Sequence, residues 1–166
     1  MPNIKLPYFG IIDSLLLEEY YDAEVDFNGR NIQIDLNFEN GSIEKSKLEV
    51  AKQFIENIRI YDLNNQKYIQ NDFENKEGDT VKFYLDNQIE ELAEDDLAEL
   101  IGSNTKSADQ PTLLLKKLHL VRVGLYPDSE DQFAIFDYTI GKDLTDYLVV
   151  INTDENGNLD YMTMES

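Results

Sequence analysis

The chain has 166 residues, 42% of them hydrophobic, with 10 Tyr, 8 Phe and no Cys. That is enough for one domain with a real core, and it excludes global disorder, disulfides, thiolate nucleophiles and cysteine-based zinc sites. The formal net charge of −20 opposes binding to nucleic-acid phosphate or anionic lipid, both of which need clustered Lys and Arg.

The charge is uneven. Residues 72–104 carry −9, whereas residues 105–127 carry +3, from Lys106, Lys116, Lys117 and Arg122 against Asp109. No apolar run approaches the length of a membrane span, and the N-terminal stretch MPNIKLPYFGII lacks the layout of a signal peptide. The expectation is a cytoplasmic protein folded as a single domain over 1–166.

LPYFGII reads as a first strand. YYDAEVDFNGRNIQIDLNF then carries the strongest hairpin signal in the chain, Asn28-Gly29, because both central residues of a type I′ turn need positive φ. With Phe27 opposite Arg30, Val25 faces Ile32, Ala23 faces Ile34 and Tyr21 faces Leu36 on one apolar side. Asp22, Glu24, Asp26, Asn31, Gln33 and Asp35 fall on the other side.

A helical middle segment follows, over about 43–117. Ser42 is the expected N-cap of a helix reaching about Tyr61, with Leu48, Ala51, Phe54, Ile55 and Ile58 as its buried stripe. A second helical stretch covers Asn65 to Phe73. A third begins near Asp79 and continues or restarts at AEDDLAELIG, where Gly102 is a C-terminal stop. SNTKSADQP reads as a loop and PTLLLKKL as a short helix with Pro in its first turn.

From Leu118 the period changes to that of strands. LHLVRVGLY and QFAIFDYTI pair with Val123 opposite Phe136, Val121 on Tyr138 and Leu125 on Ala134, which sets Arg122 against Asp137 on the other face. YLVVINT and LDYMTM form the last pair, turning at Asn156-Gly157, with Val149 and Ile151 sharing a face with Met162 and Met164. The fold class is α+β, with antiparallel sheet from an N-terminal hairpin and a C-terminal four-strand meander around the helical middle.

Candidate chemistry is sparse. DENGNLDYMTME offers Asp154, Asn156, Asn158, Asp160 and Glu165 at calcium-loop spacing. However, Leu159 stands where such a loop needs glycine, and the flanks are strands, so it reads as a turn. Asp22 opposite Asp35 is a like-charge pair that a weakly held magnesium or calcium ion could separate, although a solvated sheet face is the simpler reading. IEELAEDDLAEL gathers Glu90, Glu91, Glu94, Asp95, Asp96 and Glu99, either a solvated helix surface or a docking surface for Lys and Arg. His119 is the sole histidine and shares parity with Val121, Val123 and Leu125, so it reads as a packed, hydrogen-bonded residue near a strand end. Lys142 follows a glycine, but the phosphate-cradling GxxxxGK[ST] pattern is absent, and so are GxSxG, HExxH and a dinucleotide fingerprint. No cofactor is expected.

KLHLVRVGLYPDSEDQFAIFDYTIGKDLTDYLVVINTDENGNLDYMTMES, with LPYFG and NGRNIQIDLNFEN upstream, resembles a bacterial domain-of-unknown-function family of acidic single-domain proteins. The likeness spans most of the chain and is looser in the helical middle. It implies no activity and no catalytic residues. In size and charge such domains are similar, more distantly, to immunity proteins of bacterial toxin systems, which act by binding a toxin. Two functional expectations follow. One is a non-catalytic acidic interaction module, of the immunity type, that binds a basic protein. The other is a hydrolase or metal-dependent enzyme whose carboxylates converge from separate elements.

Overall fold

The computed structural model describes residues 1–166 as an α+β domain. A two-stranded hairpin, β1 (Asn3–Leu6) and β2 (Gly10–Asp13), precedes the main sheet. LPYFGII therefore spans two strands of a small separate sheet instead of one. The chain reverses at Leu6-Pro7-Tyr8-Phe9, where Phe9 N–H donates to the Leu6 carbonyl at 3.3 Å and Tyr8 takes φ 70°. A left-handed tyrosine is strained, and Pro7 presets the turn that imposes it.

The main sheet has six strands in sequence order: β3 (Tyr20–Phe27), β4 (Arg30–Asn37), β5 (His119–Leu125), β6 (Ala134–Thr139), β7 (Leu148–Thr153) and β8 (Leu159–Glu165). The β3–β4 register is the one the sequence predicts, and Asn28 (φ 53°) with Gly29 (φ 83°) forms the positive-φ turn. The hairpin and the meander join into one sheet through a parallel pairing of β4 with β5, in which Asp35 lies beside Gly124. The sheet is thus antiparallel at every junction but this one. The parallel pair requires a long crossover, and the helical middle supplies it.

That crossover comprises α1 (Lys45–Glu56), α2 (Ile58–Glu74), α3 (Val81–Glu91), α4 (Glu94–Ile101) and α5 (Gln110–Leu115). The first helix starts later than the Ser42 cap predicts, because Ile43 is buried and its N–H donates to the Ser14 carbonyl at 2.9 Å. It also stops earlier. Asn57 (φ −116°, ψ 15°) breaks the path and its Nδ2 donates to the Gln53 carbonyl at 2.7 Å, so the expected helix to Tyr61 divides. The stretch from Asn65 to Phe73 belongs to the longer α2. Gly102 ends α4 with φ 95°, and Pro111 sits in the first turn of α5, as their residue types predict.

The helices pack on the apolar sheet face. Phe54 of α1 meets Phe136 of β6 and Phe133 with ring centroids 5.9 and 5.2 Å apart, and stacks on Tyr61 at 4.3 Å. Val123, Leu125, Phe136, Val149 and Ile151 are each fully buried beneath this layer. On β8, Met162 and Met164 oppose Ile151 and Val149 as predicted.

Two registers depart from the expected pattern. A bulge between Leu120 and Arg122 places Leu120, not Val121, opposite Tyr138, and both Leu120 and Val121 are buried. His119 consequently pairs with Thr139 and loses the parity it would share with Val123. The last hairpin turns over four residues, Asp154 to Gly157. Gly157 N–H donates to the Asp154 carbonyl at 3.1 Å, and of the Asn156-Gly157 pair only Gly157 (φ 78°) is left-handed. A side chain there would also strike the Tyr61 ring.

Candidate functional site

The sheet face opposite the helices carries the polar residues of β3 and β4. On β3, which forms a free edge, Asp22, Glu24 and Asp26 are exposed at alternate positions. Next to them Asp35 is fully buried. Its partner is Arg122 of β5: Nε donates to Asp35 Oδ1 at 2.8 Å and Nη2 to Oδ2 at 2.9 Å, a two-pronged bond across the parallel junction. Asn37 Nδ2 donates to Oδ2 at 2.7 Å and Gln33 Nε2 to Oδ1 at 3.3 Å, so both oxygens of Asp35 are engaged by protein donors. The charge that relieves the Asp22–Asp35 juxtaposition is therefore a guanidinium. Gly124 makes room for it, since a Cβ there would run into the Arg122 side chain.

The predicted Arg122–Asp137 pairing is present and weaker, with Nη1 to Oδ2 at 3.3 Å. Burial raises the Asp137 pKa; the Arg122 charge and hydrogen bond oppose that rise without overcoming it, and the charges of Asp35 and Glu165 add to it. Burial alone would lower the Arg122 pKa; its hydrogen bonds to Asp35 and Tyr126 and the Asp35 charge outweigh burial and raise it.

The acidic helix cluster is split by the kink between α3 and α4. Glu90 and Glu91 are exposed at the C-terminal end of α3, while Glu94, Asp95 and Asp96 occupy the first turn of α4 and Glu99 is exposed one turn on. The first-turn acids complement the helix dipole and so serve the fold directly; Glu90 and Glu91 oppose it. Asp154 Oδ1 accepts from Asn156 N–H and Asn158 N–H, both at 2.9 Å, which closes the loop around its own carboxylate. No group of three or more His, Asp or Glu side chains is arranged to hold a metal ion. No helix is long and apolar enough to cross a membrane.

A polar cluster that the sequence did not disclose lies under the helices. Asp62 of α2 is buried, accepts the Tyr138 hydroxyl at 2.6 Å on Oδ1 and accepts Gln66 Nε2 at 2.9 Å on Oδ2. Burial raises the Asp62 pKa against those two bonds. Burial and then the Asp62 charge push the Tyr138 hydroxyl well above its usual range, so the phenol keeps its proton and remains the donor. The helical spacing of Asp62, Asn65 and Ile69, all buried, was the available signal. It was masked because two of the three are polar.

Asp62 and Gln66 also form part of a cavity of about 480 Å³ at the amino ends of β4 and β5, whose wall includes His119, Arg30 and Lys116. His119 is half-buried there, and its Nδ1 donates to the Lys117 carbonyl at 2.8 Å. Burial, followed by the charges of Arg30 and Lys142, lowers its pKa. Comparison of the chain with protein-family models, with curated proteins and with solved structures gives no match.

Proposed function

We propose that the protein is a non-catalytic, cytoplasmic interaction module whose acidic sheet edge docks a basic protein, in the manner of an immunity-type inhibitor. The observation that carries this reading is the exposure of Asp22, Glu24 and Asp26 at alternate positions of the free edge strand β3. Alternation projects the three carboxylates from one face, about 7 Å apart, a spacing that extended or helical runs of Lys and Arg can meet. Glu90, Glu91 and Glu99 add a second acidic surface on the helical side. The same field steers a cationic protein inward and repels nucleic acid and anionic membrane.

The enzymatic alternative needs carboxylates that converge. The two acids whose pKa values burial raises, Asp62 and Asp137, belong to opposite faces of the sheet: Asp62 meets Tyr138 beneath the helices, and Asp137 meets Arg122 on the open side. Asp62 lines the cavity at the amino ends of β4 and β5 and Asp137 does not, so the arrangement lends that alternative no support. The test of the docking reading is affinity capture of the tagged protein from lysate of its source cells, with elution by a salt gradient. One basic protein released at moderate salt is the expected result; retention indifferent to salt contradicts it.

A further inference from the structure

The cavity at the amino ends of β4 and β5 is built from three separate parts of the chain. The β3–β4 turn brings Arg30, α2 brings Asp62, Gln66 and Gln70, and the segment from α5 into β5 brings Lys116 and His119. Its volume of about 480 Å³ falls within the range of small-molecule sites.

Its electrostatics run against those of the molecule. In a chain of net charge −20, every ion pair involves Arg122, so Arg30 and Lys116 stand at this cavity without a carboxylate partner. Lys142, from the β6–β7 connection, is near enough for its charge to act on His119 together with that of Arg30. Within the positive stretch of residues 105–127, Lys116 and His119 thus meet a cation from another element, Arg30, at this cavity. A helix end would account for Lys116 alone, but not for Arg30, which arrives from a turn 86 positions away in sequence.

The interior offers different chemistry. Asp62 accepts one hydrogen bond on each oxygen and has lone pairs left for a further donor. Gln66 and Gln70 supply amides at the wall. His119, with Nδ1 committed to the Lys117 carbonyl, has Nε2 free of any protein partner.

We infer that this cavity binds a small polar organic anion, with its phosphate or carboxylate held by Arg30, Lys116 and His119 Nε2 and a hydroxyl donating to Asp62. Arg30 provides a planar fork suited to either headgroup, and Lys116 a point charge. The approach of the anion favours the protonated imidazole, which turns Nε2 from an acceptor into a donor. The apolar wall, including Ile69, Leu115 and Leu120, excludes water from one side of these contacts and strengthens them. This site is independent of the docking face on β3.

His119 is the only histidine, so the protein has a single imidazole Hε1 signal in its proton NMR spectrum. Titration with glycerol 3-phosphate, and separately with glycerate, distinguishes the two headgroups; glycerol and inorganic phosphate report the hydroxyl and the anion alone. A saturable shift of the His119 signal below about 10 mM glycerol 3-phosphate or glycerate is expected, with weaker binding of inorganic phosphate and none of glycerol. Arg30→Gln and Lys116→Gln, both exposed positions whose loss leaves the core intact, should each weaken binding about tenfold. The proposal is overturned if neither organic anion gives a saturable shift, or if the shift survives both substitutions unchanged.

Discussion

Arg122 and Asp35 are bound through two parallel hydrogen bonds, of 2.8 and 2.9 Å, across the only parallel junction of the sheet. The carboxylate is fully buried while the guanidinium side chain keeps 28% of its surface, so the arginine acts as a lid that closes a charge into the sheet surface. Removing the lid leaves an uncompensated buried carboxylate. Arg122→Met should therefore destabilise the fold by about 3 kcal/mol, whereas Arg122→Met combined with Asp35→Leu should recover most of that loss. Urea unfolding of the two variants measures both, and equal loss in each would refute the assignment.

Gly124 is the spatial complement of this pair. Its absent side chain is the space that the Arg122 guanidinium fills on its way to Asp35. Gly124→Ala should cost about 1–3 kcal/mol in the wild-type background and markedly less when Arg122 is already Met. A double-mutant cycle reads the difference as a coupling energy, and strictly additive effects would show that the two residues act separately.

The extent to which these relationships were legible in the sequence differs by kind. The β3–β4 register was legible because the Asn28-Gly29 turn and the period-two alternation agree over a short span. The Arg122–Asp137 pairing was legible for the same local reason. The dominant partner of Arg122 was not, because Asp35 reaches it through a parallel pairing between strands separated by five helices, and no local pattern sets that register. The parity of His119 was misread because a bulge between Leu120 and Arg122 adds one residue, and a bulge has no periodic signature. The cavity was illegible for a further reason: its polar groups come from three segments, and sequence shows convergence only within one.

The acidic helix cluster should behave as two unlike halves. Glu94, Asp95 and Asp96 lie in the first turn of α4, so neutralising any one of them should cost about 0.3–1 kcal/mol, while Glu90→Gln or Glu91→Gln at the end of α3 should stabilise by a similar amount at low salt. Thermal unfolding of the five single variants, repeated at high salt, checks the sign and the screening. The same sign for all five would contradict the dipole account.

Asp62 carries a pH dependence opposite to that of an ion-paired carboxylate. Burial raises its folded-state pKa, so the folded chain holds the proton more tightly than the unfolded one. The stability contributed by this carboxyl is then present below the unfolded value of about 3.9 and declines as pH rises through the folded value. Asp62→Asn removes the titration and keeps an oxygen to accept the Tyr138 hydroxyl. Across a series of urea unfolding curves from acid to neutral pH, the Asn variant should gain stability relative to wild type as pH rises. A constant difference, or one that moves the other way, would show that burial does not control this group.

The central claim concerns the acidic edge of β3, and the most direct test compares wild type with the Asp22→Lys/Glu24→Lys/Asp26→Lys variant in parallel captures from the same lysate. All three positions are exposed, so the variant should fold like wild type, which circular dichroism would verify. The account predicts that wild type retains a basic protein released by salt and that the variant does not retain it. Equal retention by both proteins, or no basic protein held by the folded wild type, would contradict the claim.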